Sequence, residues 1–425
     1  MSATSTNPGK KRLTQSLEQV KFRLPTPARF ISTSPPLHRL TTRRLDAASP
    51  FSSGDAAMPH TPTANDYDVI IVGASFAGAA CALAAAQYGL RACVLERKTD
   101  PGERLHTTGI VVKEAMQHTW LGRMPEQLVQ RVARVRLYAP NLRNVLLAAP
   151  GYYFLTTDTP NLMRWLASEL RASGVDLRLQ QSFTRACRDG DAWQVEGVGR
   201  TAYLVGADGA RSRVALRTGL GQVRDNLYGV EREFAGVQLP EGDALHCFVS
   251  RRFAPGYIGW AAQNPTGVQV GLALRHDPAH ARAPDIEGFL EHVRDVVGLP
   301  HSAQVAGTRA GLVPCGLPDG PITAPGVILT GDAAGVVSPL SAGGIHSSWR
   351  HGWAVGDAIG LHRRGKGPAA EQVARQAAPT FHRKRVLRWA MDHLQRDWPV
   401  DALLRTGPVR RLAEQIYFHR RGVRA

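Results

Sequence analysis

The sequence is short of cysteine, of aromatic residues and of long apolar runs, and each shortage excludes something. Its five cysteines, Cys81, Cys93, Cys187, Cys247 and Cys315, are scattered. No spacing among them suits zinc, an iron–sulfur cluster or a redox pair, so no metal is expected. An odd, unpatterned set also fits a reducing compartment, and the expected location is cytoplasmic. No stretch reaches roughly eighteen apolar residues, so nothing spans a membrane as a helix. No apolar segment near the start resembles a secretory signal.

Acidic residues are scarce only at the two ends. The net charge of +17 would by itself suggest nucleic acid or an anionic membrane. Residues 1–65, however, carry 9 Lys/Arg against 3 Asp/Glu, and residues 362–425 carry 15 against 5. The remaining span, 66–361, carries 28 against 27 and is nearly neutral. The basicity lies outside the body of the protein, and no nucleic-acid partner is expected. With 43% hydrophobic residues, that body can bury substantial cores.

What is present begins at Tyr67. The run Tyr67 to Val72 is short and β-branched, as in a strand buried on both faces of a parallel sheet. Gly73 ends it, and Ala77 to Tyr88 reads as an Ala-rich helix. A second strand, Ala92 to Leu95, ends at Glu96, which stands 23 positions after Gly73. This is a βαβ unit with glycines at the strand-to-helix turn. Gly73 permits the tight turn and Gly78 the close packing of helix on strand. The helix start, through Ser75, Phe76 and Ala77, offers N–H groups and a positive dipole end to a pyrophosphate. Glu96, followed by Arg97, can accept ribose hydroxyls, which favours FAD or NAD over NADP. Ser75 holds the place of the middle glycine of the usual fingerprint.

Two further stretches follow the same pattern of strand, glycine and carboxylate. Thr201 to Val205 runs into Gly206-Ala-Asp208-Gly209, and Val327 to Thr330 runs into Gly331-Asp332-Ala-Ala-Gly335, continuing to Gly343 and Gly344. With these three motifs in this order the chain resembles the FAD-dependent oxidoreductases of the p-hydroxybenzoate hydroxylase fold. Within them it is most similar to the geranylgeranyl reductase-like group. Gly256-Tyr257-Ile-Gly-Trp260 is a further match, with its aromatic pattern of Gly-Tyr and then Gly-Trp.

The resemblance implies that Asp332 bonds the ribityl chain of FAD and that Asp208 lies near the pyrophosphate. It also implies that the turn from Pro339 to Gly344 passes the isoalloxazine ring, with Ala342 where the family often has glycine. Tyr257 and Trp260 would help to line the substrate cavity. Being three apart, they are expected on opposite faces of a strand. The loop from Leu105 to Ile110, which lacks the cysteine that relatives carry there, offers His106 as a polar group near the ring. No catalytic acid or base is assigned.

The expected fold is α/β: a Rossmann-like FAD-binding domain with a parallel sheet, an inserted, mostly antiparallel β-sheet substrate domain, and C-terminal helices. Residues 66–150, 175–224 and 313–361 are assigned to the first, 151–174 and 225–312 to the second, and 362–425 to a basic helical region. The leader, 1–65, is expected to be disordered, and to be either cleaved or absent if translation starts at Met58.

The expected function is an FAD-dependent oxidoreductase that reduces C=C bonds of an apolar or isoprenoid substrate. NAD(P)H or a separate electron donor would supply the electrons. The competing readings are a hydroxylase using NAD(P)H and O2, and a non-enzymatic lipid-binding protein on an FAD fold. Val386, Leu387, Trp389, Ala390 and Leu394 form an apolar stripe among Arg and Lys. That stripe either packs on the body or docks peripherally on a membrane. The oligomeric state is left open.

Overall fold

The computed structural model describes residues 66–280 and 282–418, so the leader and Met58 fall outside the described residues. The run starting at Asp66 forms a strand, Asp66–Val72, at the centre of an eight-stranded sheet. Gly199–Gly206 and Ala92–Leu95 flank it, both parallel to it. Val327–Leu329 lies outside the first of these and Asp176–Arg178 outside the second, again parallel. Ile70, Ile71, Val94 and Leu204 are fully buried. This is the double-sided cover that an uninterrupted apolar strand requires.

The opening helix, Phe76–Ala86, starts one residue earlier and stops two earlier than the sequence suggested. It packs on the closing helix, Ile345–Arg363, through three glycines one turn apart. A Cβ on Gly352 would overlap the carbonyl of Ala77, and one on Gly356 the carbonyl of Cys81. One on Gly360 would enter the Tyr88 ring. The small side chains of the opening helix meet bare backbone, and the two helices come close together.

The second sheet has seven strands. From one edge these are Gly307–Pro314, Asn226–Ala235, Gly267–His276, Gly259–Asn264, Ala244–Phe248, Arg134–Tyr138 and Asn144–Ala148. All neighbours are antiparallel except Ala244–Phe248 and Arg134–Tyr138. One face is covered by the helix Ile286–Val297, whose Phe289, Leu290 and Val293 join Tyr138, Phe234 and Phe248 in a core. The other face looks toward the motifs.

The strands at 134–148, grouped with the first domain in the sequence reading, hydrogen-bond into this second sheet. The helix Thr159–Ala172, grouped with the second domain, contributes Leu162, Met163 and Leu166 to the core around the opening helix. Sequence order misled here because the chain crosses between the sheets more often than its composition changes.

Candidate functional site

The first turn is built by contact. Gly73 adopts φ +106°, and a Cβ there would overlap the carbonyl of Ala207. Its N–H donates to Leu95 O at 2.8 Å. Gly78 has the same restriction, because a Cβ would fall on Gly73 O. Ser75 is the N-cap residue of the opening helix, but its exposed side chain makes no capping hydrogen bond, and no acidic residue stands in the first turn. The N–H groups and dipole of that turn are therefore open to an anion. Phe76 and Ala77 are buried behind them. Glu96 is buried and accepts from Ala74 N at 3.2 Å and Lys98 N at 3.1 Å. Arg97 is exposed, with its guanidinium 3.5 Å from His106 Nε2.

The second stretch joins the first through backbone: Ala207 N donates to Val72 O at 2.8 Å. The Asp208 carboxylate itself is turned elsewhere. It accepts from Ser212 Oγ at 2.6 Å, Arg213 N at 2.6 Å and Val214 N at 3.1 Å. It thereby caps the short helix Arg213–Thr218. Burial raises the Asp208 carboxyl above the usual carboxylate range, although these donors pull it down. The Asp208 carboxylate thus ties the turn beside Gly73 to the next helix.

The third stretch differs in local form from a strand running straight into a helix. Gly331–Ala334 makes a single tight turn, and the closing helix begins only after Gly344. A Cβ on Gly331 would lie 2.7 Å from Ala77 Cβ, so this turn sits against the start of the opening helix. The Asp332 carboxyl has no hydrogen-bond partner among the described residues, and burial alone pushes it up to about 6. Between Ser338 and Gly344 the chain loops, and Ala342 takes φ +47°, the left-handed conformation for which glycine is the usual choice. A residue with a Cβ costs about 1–2 kcal/mol there. Gly343 and Gly344 leave the start of the closing helix without a side-chain cap.

An uncapped helix start, glycine turns packed too closely for any Cβ and an unpartnered carboxyl fit the pyrophosphate and ribityl hydroxyls of FAD.

Tyr257 and Trp260 lie on one side of the second sheet, contrary to the expectation from their spacing. Gly256, at φ +78°, turns the chain, and the strand begins only at Gly259, so strand alternation does not reach Tyr257. Both rings join Leu227, Ala273 and Cys315 in one cluster, against which Ala342 packs. Tyr257 Oη donates to Ser341 O at 2.6 Å, tying the cluster to the loop before Gly343.

His106 reaches the same face from the other direction. Its Nδ1 donates to Ala310 O at 2.7 Å, and a Cβ on Gly311 would lie 2.8 Å from that nitrogen. All three candidate cavity residues therefore meet one sheet face.

Three residues on this face had escaped the sequence reading. Glu231 is 2% exposed and accepts from Trp260 Nε1 at 2.7 Å. Arg309 lies 3.8 Å from Glu231 Oε1, is paired with Glu233, and donates to Thr107 O at 2.9 Å. Nothing in the sequence of Val230-Glu-Arg-Glu233 marks it out, and only the register with Arg309 reveals the cluster.

A surface cleft of about 590 Å³ lined by Arg131, Arg134, Tyr152 and Tyr153 contains none of the motif residues.

Residues 66–268 match the family profile of the FAD binding domain. The chain is 31% identical over 307 residues to digeranylgeranylglycerophospholipid reductase 2 of Methanopyrus kandleri, covering 67% of this chain and 74% of that protein. It is 25% identical over 301 residues to the digeranylgeranylglycerophospholipid reductase of Methanocaldococcus jannaschii, covering 68% and 76%. In structure it resembles a geranylgeranyl bacteriochlorophyll reductase-like protein of Thermoplasma acidophilum, with a TM-score of 0.70 at 18% identity. That match covers 82% of this chain and 96% of the other.

Proposed function

The chain belongs to the geranylgeranyl reductase-like family of FAD-dependent oxidoreductases, and from that premise we propose that it saturates C=C bonds of a prenyl chain or a similar slender apolar substrate. The observation that carries this reading is the shape of the sheet face beneath the Ser338–Gly344 loop. Gly311 is covered by His106 and Gly271 by the Trp260 ring, whose nearest atom would lie 2.5 Å from a Cβ there. Over Gly229, between them, a Cβ would meet only Ala273 and strand backbone, at 3.5 Å or more. We read this as a narrow slot over Gly229, with a backbone floor, the Trp260 ring as a wall and Leu227 and Ala273 beside it. A slot of that kind would suit a flat, unbranched alkene.

FAD, when bound, supplies the two-electron hydride chemistry. The chain supplies the grip: Gly73, Ser75, Phe76, Ala77 and Gly78 at the pyrophosphate, Glu96 and Arg97 at the adenosine ribose, Asp332 at the ribityl chain. The N–H groups after Gly343 and Gly344 would face the flavin edge, where a helix start stabilises negative charge.

Anaerobic addition of geranylgeraniol to the photoreduced holoenzyme is expected to reoxidise the flavin and yield a chain with fewer double bonds. Reoxidation only on admission of O2, with an oxygenated product, would instead establish the hydroxylase reading.

A second reading concerns where the substrate is met. The outer helix His382–Leu394 is turned inside out. Its Arg388 is 4% exposed and bonds Gly256 O and Asp392, while Trp389 is 57% exposed and Trp398, just beyond, 72%. Val386 and Leu394 are exposed beside them. The stripe therefore does not pack on the body, and Arg385, Arg396 and Arg405 of the same C-terminal segment are exposed as well. Apolar side chains outward among cations suit a peripheral contact with an anionic membrane. No helix among the described residues is long and apolar enough to cross one.

In co-sedimentation, vesicles containing phosphatidylglycerol should retain the protein and pure phosphatidylcholine should not. The double variant W389A/W398A should bind the former at least tenfold less, given roughly 1.5–3 kcal/mol for each large side chain withdrawn from water. Equal partitioning to both vesicle types would sink the idea.

A further inference from the structure

We propose that Glu231 is the acid that protonates the substrate double bond, acting from the end of the slot between Trp260 and His106. The inference rests on the reductase reading above and supplies the proton donor that reading lacks. Saturating an alkene requires one hydride and one proton. The π bond breaks, two C–H bonds form, and reduced FAD loses two electrons. The proton must come from a group that is itself protonated at the working pH and lies beside the alkene.

Glu231 occupies such a place. It points to the same sheet face as Gly229, two residues before it on one strand, and as Gly271 and Arg309, its direct cross-strand neighbours. That is the face carrying the slot. One oxygen, Oε2, is held by the Trp260 indole N–H at 2.7 Å. The other, Oε1, is buried with no hydrogen-bond partner. A buried oxygen left open costs about 1–3 kcal/mol. A protonated Oε1 would have its hydrogen free to donate, because no acceptor among the described residues takes it.

The surrounding charges set its protonation. Arg309, from the edge strand, lies 3.8 Å from Oε1 and favours the carboxylate, but its guanidinium is also engaged by Glu233 and Thr107 O. Glu233, on the same strand as Glu231, opposes ionisation. From the loop at 105–109, His106 is directed to Ala310 O, and the carbonyl of Thr108 accepts from Gln269. Burial outweighs Arg309 and the indole, and pushes the Glu231 carboxyl up to about 7. A carboxylic acid poised near neutrality can release a proton and regain it from solvent, which suits a general acid.

The test uses the holoenzyme, photoreduced and mixed anaerobically with geranylgeraniol. Wild-type reoxidation should fall as pH rises through about 7, because only the protonated acid is competent. Glu231→Gln should lower the rate by about a hundredfold or more and flatten the profile, while Glu231→Asp retains part of it. Flavin content should be unchanged in both.

Infrared titration supplies a readout that needs no turnover: a protonated carboxyl band that disappears near pH 7 in the wild type and is missing in Glu231→Gln. Should Glu231→Gln fold poorly, Trp260→Phe removes the donor to Oε2 and should move both the band and the kinetic limb to higher pH. If the wild type turns over but Glu231→Gln matches it, this inference fails and the reductase reading stands. If the wild type ignores the prenyl probe, both fall.

Discussion

Replacing Gly352 with alanine is expected to lower stability by about 1–3 kcal/mol and to loosen FAD at the same time. The added methyl would overlap the Ala77 carbonyl, which belongs to the first turn of the opening helix. Backbone cannot rotate away as a side chain can, so the two helices must separate. The start of the closing helix follows directly on the loop that carries Gly343 and Gly344, and Gly331 also rests on Ala77. Separation therefore opens the cofactor cradle as well as the core.

Gly356→Ala, one turn further on, meets the carbonyl of Cys81 and should cost a similar amount in stability. It lies farther from the cradle and should cost less flavin. Thermal unfolding together with the flavin-to-protein ratio distinguishes the two effects. A Gly352→Ala protein with unchanged melting temperature and full flavin would remove the close-packed seam from the account.

The second large effect is at Asp332. Asp332→Ala should weaken FAD binding tenfold or more, since a hydrogen bond to a charged group contributes about 1.5–3 kcal/mol. A variant that purifies with a full complement of flavin would show that Asp332 does not hold it.

The flavin-free protein should respond in the opposite sense. In the folded state the Asp332 carboxyl titrates at about 6, against an ordinary value of 3.8. Between those values the folded protein keeps a proton that the unfolded chain has lost. Stability of the apoprotein therefore declines as pH rises from about 4 through about 6 and then levels off. Asp332→Asn removes that term. The difference in melting temperature between Asp332→Asn and wild-type apoprotein should grow in favour of the variant over this window, although the variant binds FAD less well. A difference independent of pH would mean that the carboxyl is not held in an apolar setting.

The cofactor half of the site was readable in the sequence because its signals are local. Tyr67 to Glu96 states strand, turn, helix and strand in consecutive residues. Gly331-Asp332 puts glycine and carboxylate side by side. Asp208 follows a turn that does join the first through backbone, but nothing in the sequence shows that its carboxylate faces Ser212 and the next helix. The substrate half is non-local. Glu231 gains its character from Trp260 and Arg309, which only the register of four strands brings together. Tyr257 was misplaced because a single left-handed glycine before it interrupts the alternation on which the expectation relied. The seam of Gly352, Gly356 and Gly360 does have a visible spacing, four residues apart on a helix. Its partner, however, is a run of alanines whose packing preference is weak without that seam.

That seam also has a consequence for synthesis. The opening helix ends at Ala86, and the helix that covers it begins at Ile345, about 260 residues later. The central strand likewise waits for Gly199–Gly206, and that strand in turn for Val327–Leu329. At roughly 5–20 residues per second, the face of the opening helix that meets the closing helix stays uncovered for about 15–50 s of translation. During that time the nascent chain has no complete FAD cradle, so the cofactor cannot assist its early folding. The interval is set by the order of the segments along the chain, and it makes this flavoprotein dependent on keeping an unfinished α/β sheet from associating with its neighbours on the ribosome.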